Sequence, residues 1–249
     1  MVLSLVAPFR CVVCSAVVSA LPFCAGCEAD AQALPLLPNA PLPVPRHVSE
    51  VVAAYRYTGV MARAVVAGKV LGATGVWGPL GRRLGEVVAA SHLGGALVVP
   101  VPTDRRRRKA RGVDHAAVLA SGVARAIGAP VRQALTVRTG LPDRGSARDD
   151  PSPVPAGAVR AMAGMGGLTV VLVDDVMTTG ATAAASARAL LEAGVEQVQL
   201  AVLACAAVPP TGSLDLRSQM PYPRHGEVAT VSGPVDREPR TARDLPVDE

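Results

Sequence analysis

The chain has 249 residues, half of them hydrophobic and 2% aromatic, and a formal net charge of +5. That length suits one domain of ordinary size plus something smaller, with a core of Val, Leu and Ala rather than of rings. No apolar run approaches the roughly 18 residues of a membrane span, and the apolar start MVLSLVAPFR has no basic segment ahead of it, so neither a membrane span nor a signal peptide is expected and the compartment reads as cytoplasmic.

The first chemistry in chain order is a pair of CxxC motifs, Cys11–Cys14 and Cys24–Cys27, nine residues apart. Each CxxC is a knuckle that presents two thiolates to one ion, and two knuckles make a closed Cys₄ site of the structural-zinc kind. Disulfides or a redox role are the alternatives, and a secreted setting would favour the former. A closed site leaves no open position for catalysis, so its job would be to fold a segment too small for a core of its own, and to dock a partner. The fifth cysteine, Cys205, sits in the apolar run AVLACAAV and reads as a buried core thiol.

Residues 35–45, PLLPNAPLPVP, carry five prolines, which fix φ and remove amide donors, so an extended linker is predicted there. The main domain begins near His47. VVAAYRY has strand character, Thr58-Gly59 breaks it, and Val60 to Val70 has helical spacing. A second amphipathic helix is predicted over 79–91, with Pro79 in its first turn. ALVVPVP, 96–102, is a buried-type strand. The basic run Arg105-Arg106-Arg107-Arg108-Lys109-Ala110-Arg111 follows it, then a helix from Gly112 to Ile127. Residues 137–157 read as a long loop. Thr169 to Val173 reads as a strand, Thr182 to Ala193 as a helix stopped by Gly194, and Gln197 to Leu203 as a further strand. Strands alternating with helices predict a mostly parallel α/β sheet. From residue 209 the chain is proline-rich and charged, five Arg against seven Asp or Glu, and is expected to be disordered. The rest therefore carries the positive charge, much of it in the basic run. That field favours phosphates or nucleic acid, with a solvated surface loop as the plain alternative.

The stretch VVLVDDVMTTGAT, 170–182, carries the most information. In open α/β sheets ligands bind beyond the carboxyl ends of strands. Asp174 and Asp175 fall there, and adjacent carboxylates need cations or donors to meet them. Ribose hydroxyls and Mg²⁺ suit them. Met177, Thr178, Thr179, Gly180, Ala181 and Thr182 then open a helix, whose outward amides and dipole favour an anion. Carboxylates for a diol and amides for a phosphate fit a ribose 5-phosphate. A capped strand-to-helix turn is the structural alternative.

This segment resembles the phosphoribosyl pyrophosphate signature of type I phosphoribosyltransferases. Three more segments narrow the resemblance: VVPVPTDRRRRKARGVDHAAVLA (98–120), YRYTGVMARAVVAGKVLG (55–72) and the double CxxC are similar, in the same order, to segments of the ComF family. The resemblance implies a type I phosphoribosyltransferase-like parallel sheet flanked by helices, with a small N-terminal Cys₄ zinc ribbon. It divides the chain into the ribbon (1–34), the linker (35–47), the α/β domain (48–208) and the tail (209–249). It implies Mg²⁺ with phosphoribosyl pyrophosphate as ligand and structural Zn²⁺ on Cys11, Cys14, Cys24 and Cys27. Asp174 and Asp175 are the implied catalytic pair, holding the ribose. The loop from Met177 to Thr182 takes the 5-phosphate, and Arg111 and Lys69 meet the pyrophosphate, whose developing charge needs fixed positive groups. For Lys69 a helix lysine reaching to solvent is the alternative. The ComF resemblance also implies single-stranded DNA or a competence helicase as a possible partner.

The chain departs from the ComF pattern in two places. Val113-Asp114-His115 stands where that family has Phe-Asn-Gln, and only Arg144 and Arg148 loosely match its later loop. His115 reads as a base or phosphate donor, or as a polar residue on a helix surface. No aromatic occurs between Trp77 and Tyr222, so neither a base-stacking lid nor a nucleic-acid stacking platform is evident.

Overall fold

The structure is a computed structural model and describes residues 9–20, 22–31, 42–103, 109, 112–137, 155 and 157–206. The basic residues 105–108, Arg111, Arg144, Arg148 and the expected disordered tail lie outside the described residues.

Four parallel strands form the central sheet: β3 (Val51–Arg56), β4 (Leu97–Pro100), β7 (Thr169–Met177) and β8 (Gln197–Cys205), in the order β3-β8-β7-β4. β7 lies in the interior with Val170 to Val173 fully buried. That is why its sequence is a continuous apolar run rather than an alternation, since both of its faces are covered. Neighbouring residues of a strand face opposite ways, and the core divides accordingly. Val171, Val173, Ala201 and Leu203 pack with helices α2 (Gly59–Val70), α3 (Trp77–Ala89) and α4 (His115–Ile127). Val170, Leu172, Leu200 and Val202 pack with helix α5 (Ala181–Glu192) and with a small antiparallel hairpin, β5 (Leu135–Val137) and β6 (Val159–Ala161).

The cysteine segment adds a two-stranded ribbon, β1 (Phe9–Arg10) with β2 (Val17–Val18), and a short helix α1 (Ala25–Asp30). Cys11, Phe23, Cys27 and Ala31 join the core on the α2–α3 side of the sheet, so this segment borrows the domain's core instead of building one. The described end of the proline-rich stretch is also tied down: Leu42 packs on the α5 side, and the Val48 amide donates to the Pro45 carbonyl.

The sequence expectations and the structure differ mainly at element ends. β7 continues four residues beyond Val173, through both aspartates to Met177, because β8 continues beside it with Asp174 opposite Val202 and Met177 opposite Cys205. The helix expected from Gly112 starts at His115, where the Asp114 carboxylate accepts a hydrogen bond from the Ala117 amide and so caps the first turn. The hairpin strands were not foreseen. At three residues each they are too short for a period-2 pattern to stand out, and much of what joins them reads as loop.

Helices α3 and α4 cross almost backbone to backbone. A side-chain carbon on Gly122 would overlap the Gly81 carbonyl, and one on Gly85 would lie 2.6 Å from the Gly122 carbonyl oxygen. Neither obstacle is a flexible side chain, so relief requires separating two helices that bury Leu80, Leu84, Leu119 and Val123 between them and the sheet. Gly122→Ala is therefore expected to lower unfolding free energy by about 2–3 kcal/mol despite its gain in helix propensity, measured as a shift of the urea midpoint at unchanged m-value.

Candidate functional site

The site lies where β7 gives way to α5. Because Asp174 and Asp175 are consecutive on a strand, their side chains leave on opposite faces of the sheet and meet different surroundings. Asp175 emerges on the α2–α4 side. Lys69, in the last turn of α2, places its Nζ 2.8 Å from each of the two carboxylate oxygens. The His115 imidazole, at the start of α4, brings Nδ1 to 3.7 Å from Asp175 Oδ2. Asp174 has no cation of this kind among the described residues. Its Oδ1 accepts a hydrogen bond from the Asp175 amide at 2.8 Å.

These surroundings separate the two acids. Burial and the neighbouring Asp175 charge push Asp174 up from 3.8 to about 7. Burial also opposes ionisation of Asp175, but the Lys69 ammonium, with the His115 ring beside it, outweighs burial and holds that carboxyl at about 2. Two carboxylates so close cannot both ionise cheaply. The one that remains short of positive charge is the one a divalent cation or a set of hydroxyl donors would satisfy. The residues present thus fit Mg²⁺ with a ribose diol.

The loop after the pair is built for close approach. Met177 turns its side chain into the core, so it supports the loop from below. Thr178, Thr179 and Thr182 are exposed, and Thr179 Oγ1 accepts a 3.4 Å hydrogen bond from the Ala181 amide. Gly180, the residue before α5, has φ +73°, a left-handed conformation, and a side-chain carbon there would lie 2.7 Å from the Pro45 ring. Both facts require glycine. Ala181 opens the helix, whose first amides face outward.

The structure therefore brings Asp174, Asp175, Lys69 and the 177–182 loop together. Arg111, the other basic candidate, lies outside the described residues. Lys69 turns its ammonium to Asp175, and its side chain remains 23% exposed. His115 is a correction to the surface alternative: it is 2% exposed and stacks on Trp77 at 4.3 Å between ring centroids. Trp77 was not singled out by the sequence. A lone tryptophan in an amphipathic helix signals only core, and its neighbourhood with residues 69, 115 and 175 is a product of three separate crossovers. Beside the site, a cleft of about 240 Å³ opens past the end of β4, lined by Pro102, Thr103, Asp114, Gln133, Leu135 and Thr136 among others. A larger cavity of about 400 Å³ belongs to the cysteine segment and not to the carboxylate pair.

The four sulfurs of Cys11, Cys14, Cys24 and Cys27 lie within 4.8 Å of one another, and Cys14 Sγ is 3.6 Å from Cys24 Sγ. All four are free thiols. Sulfurs around a tetrahedral zinc, with Zn–S near 2.3 Å, stand about 3.8 Å apart, whereas disulfide sulfurs are bonded at about 2.05 Å. The cluster therefore fits a zinc ion and not two bridges. Burial and the adjacent sulfurs push the Cys27 thiol up to about 12, and a cation removes that penalty.

Residues 113–215 match the family model of the phosphoribosyl transferase domain, a span holding α4, β7, the loop and α5. The parallel sheet flanked by helices is a fold of the phosphoribosyltransferase type. Among solved structures, the chain is similar to one described as the allosteric regulatory enzyme of purine biosynthesis, at 22% identity over 51% of this chain and 26% of that one, TM-score 0.38. It is similar to glutamine phosphoribosylpyrophosphate amidotransferase from B. subtilis at 23% identity over 51% and 26%, TM-score 0.36. It is also similar to a phosphoribosyltransferase from Corynebacterium diphtheriae at 22% identity over 51% and 62%, TM-score 0.32. The chain spans about a quarter of the length of the first two. Comparison with curated proteins gives no match. No helix among the described residues is long and apolar enough to cross a membrane.

Two measurements check the site. Asp174 has its folded pKa raised, so the native state holds a proton that the unfolded chain has released, and stability is lost as pH rises from about 4 to about 7. Asp175 is depressed, so its contribution is complete above about pH 4 and is lost as pH falls through about 2. Asp174→Asn should accordingly gain about 2 kcal/mol on the wild type between pH 5 and pH 8, read from denaturant curves at the two pH values. Metal analysis should find one zinc per chain, and stripping it with a chelator should lower the melting temperature, whereas a disulfide-held segment would keep its melting temperature under chelation and lose it under reductant.

Proposed function

We propose that the chain binds phosphoribosyl pyrophosphate with Mg²⁺ and transfers the phosphoribosyl group to a nitrogenous base, as a ComF-like phosphoribosyltransferase-domain protein. The observation that carries this reading is the charge imbalance at the end of β7: one carboxylate neutralised by Lys69 at 2.8 Å, the other pushed up to about 7 by burial and the neighbouring Asp175 charge, with a helix starting at Ala181 just beyond them.

In this reading Asp174 and Asp175 hold the ribose hydroxyls. The Thr178–Thr182 loop takes the 5-phosphate on outward amides and hydroxyls, and Gly180 lets it come close. Lys69 exchanges its carboxylate partner for the pyrophosphate, joined by Arg111. The bound Mg²⁺ supplies neutralisation of the pyrophosphate as it departs. The bond from C1 of the ribose to the pyrophosphate oxygen breaks, a nitrogen lone pair forms the new bond to C1, and the proton of the incoming nitrogen goes to solvent or to the departing pyrophosphate. The chain's own contribution is orientation and fixed charge rather than a covalent intermediate. The cleft past β4, with prolines on its walls and the Asp114, Gln133 and threonine side chains around it, offers room for the acceptor. The zinc segment folds the N-terminus onto the domain, and the site is that of a cytoplasmic enzyme.

The alternative reading is an accessory role in DNA uptake or processing, on single-stranded DNA or a competence helicase. It draws on the Arg105–Arg108 run and on the cysteine module as the parts that would meet DNA or a helicase.

Calorimetric titration of phosphoribosyl pyrophosphate with Mg²⁺ should show binding to the wild type and none to an Asp174→Ala/Asp175→Ala variant that retains its zinc. Folded, zinc-loaded wild type that takes up no ligand would overturn the reading.

A further inference from the structure

His115 is a polar residue with nothing to do in the scheme above, in a place where idle polar residues are costly. Its ring is 3% exposed by side chain, it stacks on Trp77 with 26° between the planes, and its Nε2 has no hydrogen-bond partner among the described residues. Only Nδ1 faces something it can bond to, the Asp175 carboxylate at 3.7 Å. A buried ring with one orphaned nitrogen loses more than it gains unless the other nitrogen repays it.

The ring's surroundings are rigid on every other side. The Asp114 cap fixes the start of α4, the residue that carries the ring. Trp77 is completely buried, and its indole fills the space over Gly68, where a side-chain carbon would lie 2.7 Å from the ring. Gly68 in turn adjoins Lys69. The same local packing therefore sets Lys69 on one side of Asp175 and His115 on another, but the two partners are not alike. Lys69 is a mobile ammonium on a four-carbon stem, 23% exposed by side chain, and a polyphosphate would compete for it. His115 cannot leave.

We propose that His115 is a positioning residue of the ribose site: it holds the Asp175 carboxylate in place when Lys69 is drawn to the ligand's phosphates, and the Trp77 stack is what holds His115. The step from 3.7 Å to a hydrogen bond is under 1 Å and needs no rearrangement of the helices. Asp175 then keeps one fixed donor through the exchange and does not swing away from the ribose hydroxyls. This inference rests on the function proposed above.

The test compares His115→Gln, which keeps a donor, with His115→Leu, which keeps the bulk and loses it. Affinity for phosphoribosyl pyrophosphate with Mg²⁺ is measured by calorimetry and melting temperature is measured alongside. Loss of a hydrogen bond to a charged group should weaken binding by about tenfold or more in the Leu variant, and the Gln variant should stay within about threefold of wild type. A purely packing role would instead leave binding in step with melting temperature and spare the apolar variant. Should the Leu variant not fold, the wild type decides. At constant pH, the side-chain ¹⁵N resonance of His115, assigned by its loss in the Gln variant, should move on adding phosphoribosyl pyrophosphate and Mg²⁺, and those of His47 and His92 should move less. Leu-variant binding equal to wild type, or an unmoved His115 resonance in a wild type that binds, would overturn this inference alone. A wild type that binds no phosphoribosyl pyrophosphate would overturn the functional reading and this inference with it.

Discussion

Two carboxylates on consecutive residues at the end of a buried strand set the terms for everything around them. An ionised carboxylate withdrawn from water costs several kcal/mol unless a charge or donors meet it. The chain meets one of the two with Lys69, at 2.8 Å from both oxygens, and the other, half-buried, meets no cation at that distance among the described residues. The pair is thus an instability held within an otherwise well-packed domain. Such a site persists when the surrounding structure over-determines it, and it is where a cationic or hydroxyl-rich ligand gains most.

The surrounding structure does over-determine it. Lys69 reaches Asp175 from the last turn of α2, and α2 is held by Val60, Met61, Ala64 and Val65, which are buried in the same core as Val171 and Val173. Trp77 closes the end of α2, His115 closes on Trp77, and α4 is drawn against α3 by an almost side-chain-free crossing at Gly81, Gly85 and Gly122. Interiors at this density transmit displacement rather than absorbing it. The cysteine segment enters the same layer, with Cys11, Cys27 and Phe23 in contact with it. The cysteine cluster and the carboxylate site are therefore parts of one packed body.

On the opposite face the structure is built for approach, not for holding. α5 is rich in alanine, with Ala183, Ala185, Ala187 and Ala189 buried against the sheet. It brings its first turn close to the strand ends, and Gly180 completes that approach against Pro45. The described end of the proline-rich segment is thereby a wall of the 177–182 loop as well as a connection, a second use for a stretch whose composition reads only as spacer.

The sequence by itself determined the elements and the chemistry that is local to them. Buried parallel strands are continuous apolar runs, so β4, β7 and β8 were legible, and α2 with them. The stretch of Asp-Asp, Thr, Gly and a helix start is confined to thirteen residues, so the whole pattern is visible in one window of sequence. The CxxC pairs are likewise local, and their four sulfurs converge as the spacing implies. Tertiary structure alone decided which acid of the pair is free. That depends on strand alternation sending neighbours to opposite faces, and on Lys69 and His115 arriving at one face from sites 106 and 60 residues away in sequence. It also turned His115 from a surface candidate into a buried partner, made Trp77 its support, and extended β7 through the aspartates because β8 was there to pair with them. Long-range pairing and burial are properties of the assembled chain. No window of sequence contains both sides of such a contact, so these decisions could not be read before the fold was in hand.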